Sequence, residues 1–436
     1  MKLKLQNILK VESADIELGG LTVITGENDS GKSSIGKVLF SMLKAANNVK
    51  QVDKLKTIGK IRATLFSINN MFVRNSDFEL LKDKQAISTD LVEQHLSVED
   101  LFASIRAEAV KREFTTRQIV MLDNAFSRIQ QRISEFWNPT LAVAREFNVI
   151  SRSEFQEPLH SYGTDYSTIH FHDATADANG SEIDVTLKKG EALNIQLSGN
   201  SSIEDITYIE SPVYLHILDA LRWSNPMPGS IYRTIPQINI PYHLTDMAEK
   251  VLSTSIEAPD LLAASNNYQS TLDEISELIK GDFTVDKKTK QLYFNRNGIP
   301  IPTVSVASGI KSFGMLMQLI KTGSISTSKM LVLDEPEIHL HPEWQISFCK
   351  FIIELVAQGI PIVVSSHSPY FIQGLRYFSA ARGIEKDVVY YMAEQNPDNG
   401  LSRFKDVTHD LNKVFTLLAA PLQEIMNVDA VRNRSK

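Results

Sequence analysis

The chain has 436 residues, a net charge of −7 and one cysteine, Cys349. That length allows two or three domains with a real core, and the composition is that of a globular protein rather than a disordered one. The acid excess excludes coating of DNA by bulk charge, the lone cysteine excludes an internal disulfide framework, and no apolar run reaches membrane-spanning length. Residues 1–5 alternate like a strand and lack the apolar core of a signal peptide, so a cytoplasmic protein without a membrane partner is expected. Leu3 and Leu5, then Ile16 and Leu18, predict strands before Gly19-Gly20 turns the chain. Leu21-Thr22-Val23-Ile24-Thr25 reads as a short buried strand. Gly26-Glu27-Asn28-Asp29-Ser30-Gly31-Lys32-Ser33 then matches the phosphate-cradling G-x-x-x-x-G-K-[ST] pattern, with Ser34 following. Ile35, Val38, Leu39, Met42, Leu43 and Ala46 recur at helical spacing, so strand, loop and helix stand in the order the pattern requires.

Residues 37–62 carry Lys37, Lys44, Lys50, Lys54, Lys56, Lys60 and Arg62 against one acid, Asp53. This is either a nucleic-acid or partner surface, so that DNA is a possible ligand, or a solvated helix face. Residues 88–148 predict long helices. Ile119, Leu122, Phe126, Ile129, Ile133 and Phe136 form an a/d stripe, read as a helical arm or bundle, and Pro139 ends or kinks it. Between 162 and 210 short alternating runs separated by polar turns predict β-hairpins. His170 and His172 fall on one strand face there and read as solvated rather than as metal ligands. A proline- and aromatic-rich irregular connection over 211–245 follows, then helices over 246–280. A hairpin around Lys287–290 comes next, with a turn at Asn297-Gly298.

Four apolar residues, Met330 to Leu333, lead into Asp334-Glu335. A strand ending in adjacent carboxylates is the second half of a nucleotide-hydrolysing site: Asp334 and Ser33 would hold Mg²⁺, and Glu335 would polarise the attacking water. A further apolar strand, Ile360 to Val364, ends in Ser365-Ser366-His367. His367 reads as a contact to the γ-phosphate; the plainer alternative is a histidine satisfied at a strand end. Ser308 and Gly309, with Lys311, open an apolar helix, a place suited to phosphate oxygens or simply a cap.

These four stretches, in this order, resemble the ABC-type ATPase heads of the SMC, RecF and OLD families. Residues 26–33 look like the Walker A motif, 330–335 like Walker B, 306–312 like a divergent signature and His367 like the switch histidine. The run Glu335-Pro336-Glu337-Ile338-His339-Leu340-His341-Pro342 is similar to the D-E-P-E-x-x-L-H-P run of bacterial members. The resemblance covers about 1–50 and 300–380. It implies an α/β ABC-ATPase head, a P-loop NTPase split over 1–50 and 300–436, with a helical insert over 51–160 and a small mixed β/α insert over 161–299. It also implies ATP and Mg²⁺ as cofactors. Lys32, Glu335 and His367 are then the catalytic set, and residues 26–34 bind nucleotide. Ser308, Gly309 and Lys311 act in trans within a homodimer or higher oligomer.

Compact heads of this kind resemble the ATPase subunits of the bacterial anti-phage systems Septu and PARIS, which carry a separate nuclease or toxin effector. An OLD-like nuclease is the alternative, but no Asp-x-Asp pair occurs in the chain and only a short tail follows His367. A transporter ATPase and a non-hydrolysing nucleotide-dependent scaffold are further alternatives. The expectation is an ATPase without intrinsic nuclease activity that scaffolds an effector. His339 and His341 read as loop residues near a dimer interface rather than as metal ligands.

Overall fold

The computed structural model describes residues 1–50, 54–72, 83–161, 163–176, 180–218, 240–253, 268–286 and 288–418. Strand β3 (Leu21–Thr25) is buried along its whole length. A strand without a polar face needs partners on both edges and cover on both sides. It pairs in parallel with β12 (Ile362–Ser366) and β13 (Val388–Gln395). Beyond β12 lies β11 (Lys329–Asp334), then β7 (Asp205–Ile209), again parallel. On the other flank β14 (Ser402–Asp406) runs antiparallel to β13 and beside β2 (Val11–Glu17). Antiparallel pairing then continues through β1 (Lys2–Ile8), β4 (Tyr166–Asp173), β5 (Ser181–Lys188) and β6 (Glu191–Ser198), completing an 11-stranded sheet.

Residues 166–209, expected in an insert apart from the head, therefore contribute β4–β7 to this one sheet. The physical reason is visible in the strands. Ile169 and Phe171 of β4 are buried while His170 and His172 are half-buried, so β4 continues the one-faced pattern of β1. The two histidines lie opposite Asp184 and Glu182 across the β4–β5 pair, on its half-buried face. At the other edge Ile206, Thr207 and Tyr208 of β7 are all buried, which suits a place beside β11.

At the end of β4, Asp173 accepts from the Thr175 amide (3.0 Å) and hydroxyl (2.6 Å) and from Ser201 Oγ (3.1 Å). It also accepts from the Ser202 amide (2.7 Å) and hydroxyl (2.7 Å). Burial alone would raise this carboxyl; the donated hydrogen bonds from Thr175 and Ser202 outweigh it and hold the group at about 2. A depressed folded value means the stabilisation is complete above the unfolded value of roughly 3.9 and disappears as pH falls toward 2. Urea midpoints at pH 7 and pH 3 are expected to differ more for the wild type than for Asp173→Asn; equal differences would remove this latch.

Contacts divide the chain into two units: Met1–Lys44 with Phe147–Lys436, and Ala45–Glu146. The second unit contains α2 (Lys54–Phe72), α3 (Lys84–Val92), α4 (Val98–Lys111) and α5 (Thr116–Trp137), and α6 (Pro139–Phe155) comes next in the chain. α5 opens with a capping box between Thr115 and Gln118. Its stripe is consumed by the unit's own core: Leu122, Phe126 and Ile129 are buried, and Ile119, Ile133 and Phe136 pack against them. The stripe is thus internal packing rather than a free partner surface. The expected basic surface is reduced in the same way. In the first unit Lys44 lies 2.7 Å from Asp205 and 2.5 Å from Asp246, and Lys37 sits 3.6 Å from Glu210. Asp53 and the side chains of Lys50, Lys54 and Lys56 lie outside the described residues.

In the first unit the irregular stretch contains a 3₁₀ turn, Pro212–Ile217; residues 219–239 of it lie outside the described residues. Helices α7 (Tyr242–Leu252) and α8 (Gln269–Ile279) follow. The predicted hairpin forms β8 (Asp282–Val285) and β9 (Leu292–Arg296), and β10 (Ile299–Pro302) joins it across the 297–298 turn. Helices α9 (Ser308–Lys321), α10 (Pro342–Ala357) and α11 (Pro369–Arg382) complete the unit. Phe313 of α9 meets Trp344, Phe348 and Phe351 of α10 edge-on, with ring centroids 5.2–5.6 Å apart. Gly314 lets the Phe283 ring lie against the helix backbone: a Cβ there would fall 2.2 Å from Cε2. Gly314→Ala is expected to destabilise the protein by about 1–3 kcal/mol through overpacking, read as a lower thermal midpoint; an unchanged midpoint would mean the ring moves freely. Among the described residues no helix is long and apolar enough to cross a membrane.

Candidate nucleotide site

The loop between β3 and α1 (Lys32–Lys50) leaves the sheet at the carboxyl end of β3, where ligands of parallel sheets gather. Gly26 takes φ 151°, and a Cβ there would fall 2.8 Å from Ala393 Cβ on β13. Only glycine therefore lets the chain turn at that point. Ser30 Oγ donates to Glu27 O (2.7 Å), pinning the loop across its width. Asp29 adopts φ 60° and its carboxylate meets Lys10 at 2.9 Å. Glu27, Asn28 and Asp29 are exposed, Ser33 and Ser34 half-buried. The amides of the first turn of α1 have no intrahelical acceptor.

Lys32 is only 5% exposed. Its ammonium donates to Gly26 O (3.0 Å) and Glu27 O (2.7 Å) and stands 3.9 Å from Glu335 Oε1. Burial lowers its pKa, partly offset by the charges of Glu335, Asp334, Glu337 and Glu27. β12 lies between β3 and β11, so the ends of three adjacent strands supply the site. Asp334 accepts from Tyr208 (2.7 Å, Oδ2) and from Ser365 (Oδ1). Glu335 takes φ 46°, a left-handed conformation costing roughly 1–2 kcal/mol for a residue with a Cβ. Its amide donates to Ser365 O at 3.0 Å, which holds that turn. His367 Nδ1 comes within 3.0 Å of Glu335 Oε1, off the hydrogen-bond direction. Lys32, Asp334, Glu335 and His367 are thus brought together.

Ser308, Gly309 and Lys311 are not part of this cluster. Among the described residues no hydrogen bond or ion pair links them to the P-loop or to Asp334. Ser308 and Gly309 are half-buried, with Gly309 against the Trp344 ring. Lys311, expected to act in trans, is buried within this chain, and its ammonium abuts His216 Nε2. The apolar face of α9 carries it inward one turn after the helix start. His341 caps α10 through Nδ1, accepting from the Glu343 amide (3.4 Å), which accounts for its place in the run.

Sequence reading missed four members of the site. Tyr208 and Ser365 hold Asp334. Ser366 Oγ donates to Glu337 Oε1 (2.5 Å), and the buried Glu337 Oε2 has no hydrogen-bond partner among the described residues. Burial pushes the Glu337 carboxyl up. The Ser-Ser pair at a strand end was the one signal available for the serines.

The residues fit a triphosphate with its magnesium. Among the described residues the buried Lys32 ammonium meets only carbonyl oxygens at hydrogen-bond distance, the glycine cradle tolerates no side chain, and Asp334 and the Ser33 hydroxyl supply the hard oxygen donors that Mg²⁺ takes. Among the described residues no group of three His, Cys, Asp or Glu is arranged to hold a metal by itself.

The chain is 32% identical over 117 residues to the OLD nuclease of Thermus scotoductus, a match covering 25% of this chain and only 20% of that protein. Among solved structures it is similar to the SMC head domain from Thermotoga maritima, with a TM-score of 0.38 and 13% identity over 93% of this chain and 98% of that one. It is also similar to the Smc head with an extended coiled coil from Pyrococcus furiosus, bound to the C-terminal domain of ScpA. There the TM-score is 0.39 and identity 10%, over 98% of each chain. The family described as "AAA domain, putative AbiEii toxin, Type IV TA system" matches residues 21–373. The chain belongs to that family.

Proposed function

We propose that the chain binds and hydrolyses ATP at the ends of β3, β11 and β12, and that nucleotide controls the association of heads that scaffold a separate effector. The observation that carries the chemistry is that Lys32 and His367 both approach Glu335 while Asp334, next to it in the chain, acts on Lys32 through its charge. Lys32 and the amides of residues 27–34 bind the phosphates. Asp334 and Ser33 hold Mg²⁺, which when bound neutralises charge on the phosphate oxygens. Glu335 orients the attacking water and takes up its proton, and His367 stands beside it to contact the γ-phosphate. Homodimerisation through Ser308 and Gly309 fits their half-buried place at the start of α9. A nuclease or toxin effector in a DNA-related or anti-phage complex is the partner class that the resemblance and the family description favour. Sedimentation of Glu335→Gln with and without Mg-ATP tests the association: a larger species with nucleotide is expected, and an unchanged size would refute nucleotide control.

The match to an OLD nuclease favours a second reading, in which the chain itself acts on DNA. Plasmid incubated with the purified protein, ATP and Mg²⁺ or Mn²⁺ separates the two. Cleavage that disappears in a variant of this chain supports the second reading. Cleavage that needs an added neighbouring gene product supports the first.

A further inference from the structure

Tyr208 is fully buried at the edge of the parallel core, on β7, in register with Val332 two positions before Asp334. Its hydroxyl donates to Asp334 Oδ2 at 2.7 Å, while Ser365 donates to Oδ1. A phenylalanine would fill the same space. Burying a hydroxyl costs free energy unless it is bonded, so the oxygen is tied to what it holds. The ring has little room to move. The His243 ring stands edge-on to it at 5.0 Å and the Phe40 ring lies 6.2 Å away. On a third side a Cβ at Gly36 of α1 would fall 2.9 Å from Cε2. His243 is itself fixed: its ring Nδ1 lies 2.6 Å from Glu154 Oε2, and its amide donates to Glu154 Oε1 at 2.8 Å. The position of the hydroxyl is therefore set by packing from several elements. With one donor on each oxygen, the Asp334 carboxylate cannot rotate without losing a bond. Each oxygen keeps a lone-pair direction for a further ligand.

We infer that Tyr208 is a positioning residue for metal: its hydroxyl fixes the Asp334 carboxylate in the orientation that takes Mg²⁺. This rests on the reading of Asp334 as a Mg²⁺ ligand. Partners behind metal ligands orient them, and their loss typically weakens metal binding by about 10–100-fold. Tyr208 lies 126 positions from Asp334 in sequence and belongs to no nucleotide-binding motif.

The test is binding of a fluorescent ATP analogue, titrated in EDTA and over a series of Mg²⁺ concentrations, for wild type and Tyr208→Phe. The expected result is a half-saturating Mg²⁺ concentration raised about tenfold or more in the variant, with metal-free affinity nearly unchanged. An unchanged Mg²⁺ requirement overturns the assignment, as does an equal loss of metal-free and Mg²⁺-supported affinity, which is the signature of general loosening. A wild type whose affinity does not respond to Mg²⁺ at all refutes the ligand role of Asp334 instead, and the assignment falls with it. The same substitution added to Asp334→Ala, where no carboxylate is left short of a donor, is expected to change nothing further. A further Mg²⁺-specific loss in that background places the role of Tyr208 elsewhere.

Discussion

Glu335→Gln is expected to cut ATP hydrolysis by about 10²–10⁴-fold while leaving ATP binding close to that of the wild type. The amide keeps the size of the side chain and cannot take up a proton. The backbone that aims it is unaffected, because the 3.0 Å bond from the residue 335 amide to Ser365 O does not involve the side chain. The φ of 46° is a property of the turn after β11, so the substitution neither relieves nor adds backbone strain. Asp334 keeps both of its donors, Tyr208 and Ser365, so the Mg²⁺ site stays intact. Hydrolysis is read as phosphate release and binding by a fluorescent ATP analogue. Undiminished phosphate release would remove Glu335 from its role; parallel loss of binding and hydrolysis would make it a structural residue of the loop.

Lys32→Ala is expected to weaken ATP binding by about 10–100-fold, the value of one or two charge-assisted hydrogen bonds lost from a buried site. Two effects add. The phosphates lose their ammonium. The carboxylates of Glu335, Asp334 and Glu337, which act on Lys32 through their charge, also lose that cation, so an anionic ligand meets more repulsion. The second effect distinguishes Lys32→Ala from removal of an exposed lysine, where solvent would screen the charges. The affinity loss is therefore expected to persist at high ionic strength. An affinity unchanged from wild type would contradict the placement of the phosphates at Lys32.

What could be read from the chain depended on how local the cause was. The P-loop strand, the glycine turn and the first helix are set by neighbouring residues, and they form where the pattern put them. The run into Asp334-Glu335 is equally local, as is the Ser365-Ser366-His367 strand end. Parallel β11, β12 and β3 then bring Lys32 within 3.9 Å of Glu335. The a/d stripe of α5 was legible as a helix face, but its occupant was not: a stripe looks the same whether a partner or the chain's own α2–α4 covers it. Lysine counting failed at Lys44 for a related reason. Its acids, Asp205 and Asp246, come from distant β7 and α7, and together with Lys250 they complete a cluster of two lysines and two aspartates. Tyr208 was illegible because its role exists only once β7 lies beside β11. The burial of Lys311 was equally illegible, because a motif position says which residues stand near a helix start and not which way a side chain turns.

ATP turnover at this site is tested most directly with the purified chain, by phosphate release and retained nucleotide measured together after incubation with radiolabelled Mg-ATP, for wild type, Lys32→Ala and Glu335→Gln. The predicted result is turnover with little retained nucleotide in the wild type. Neither signal is expected in Lys32→Ala, and Glu335→Gln should retain ATP as unhydrolysed triphosphate. Turnover that persists in both variants, or a wild type that neither retains nor hydrolyses ATP, would contradict it.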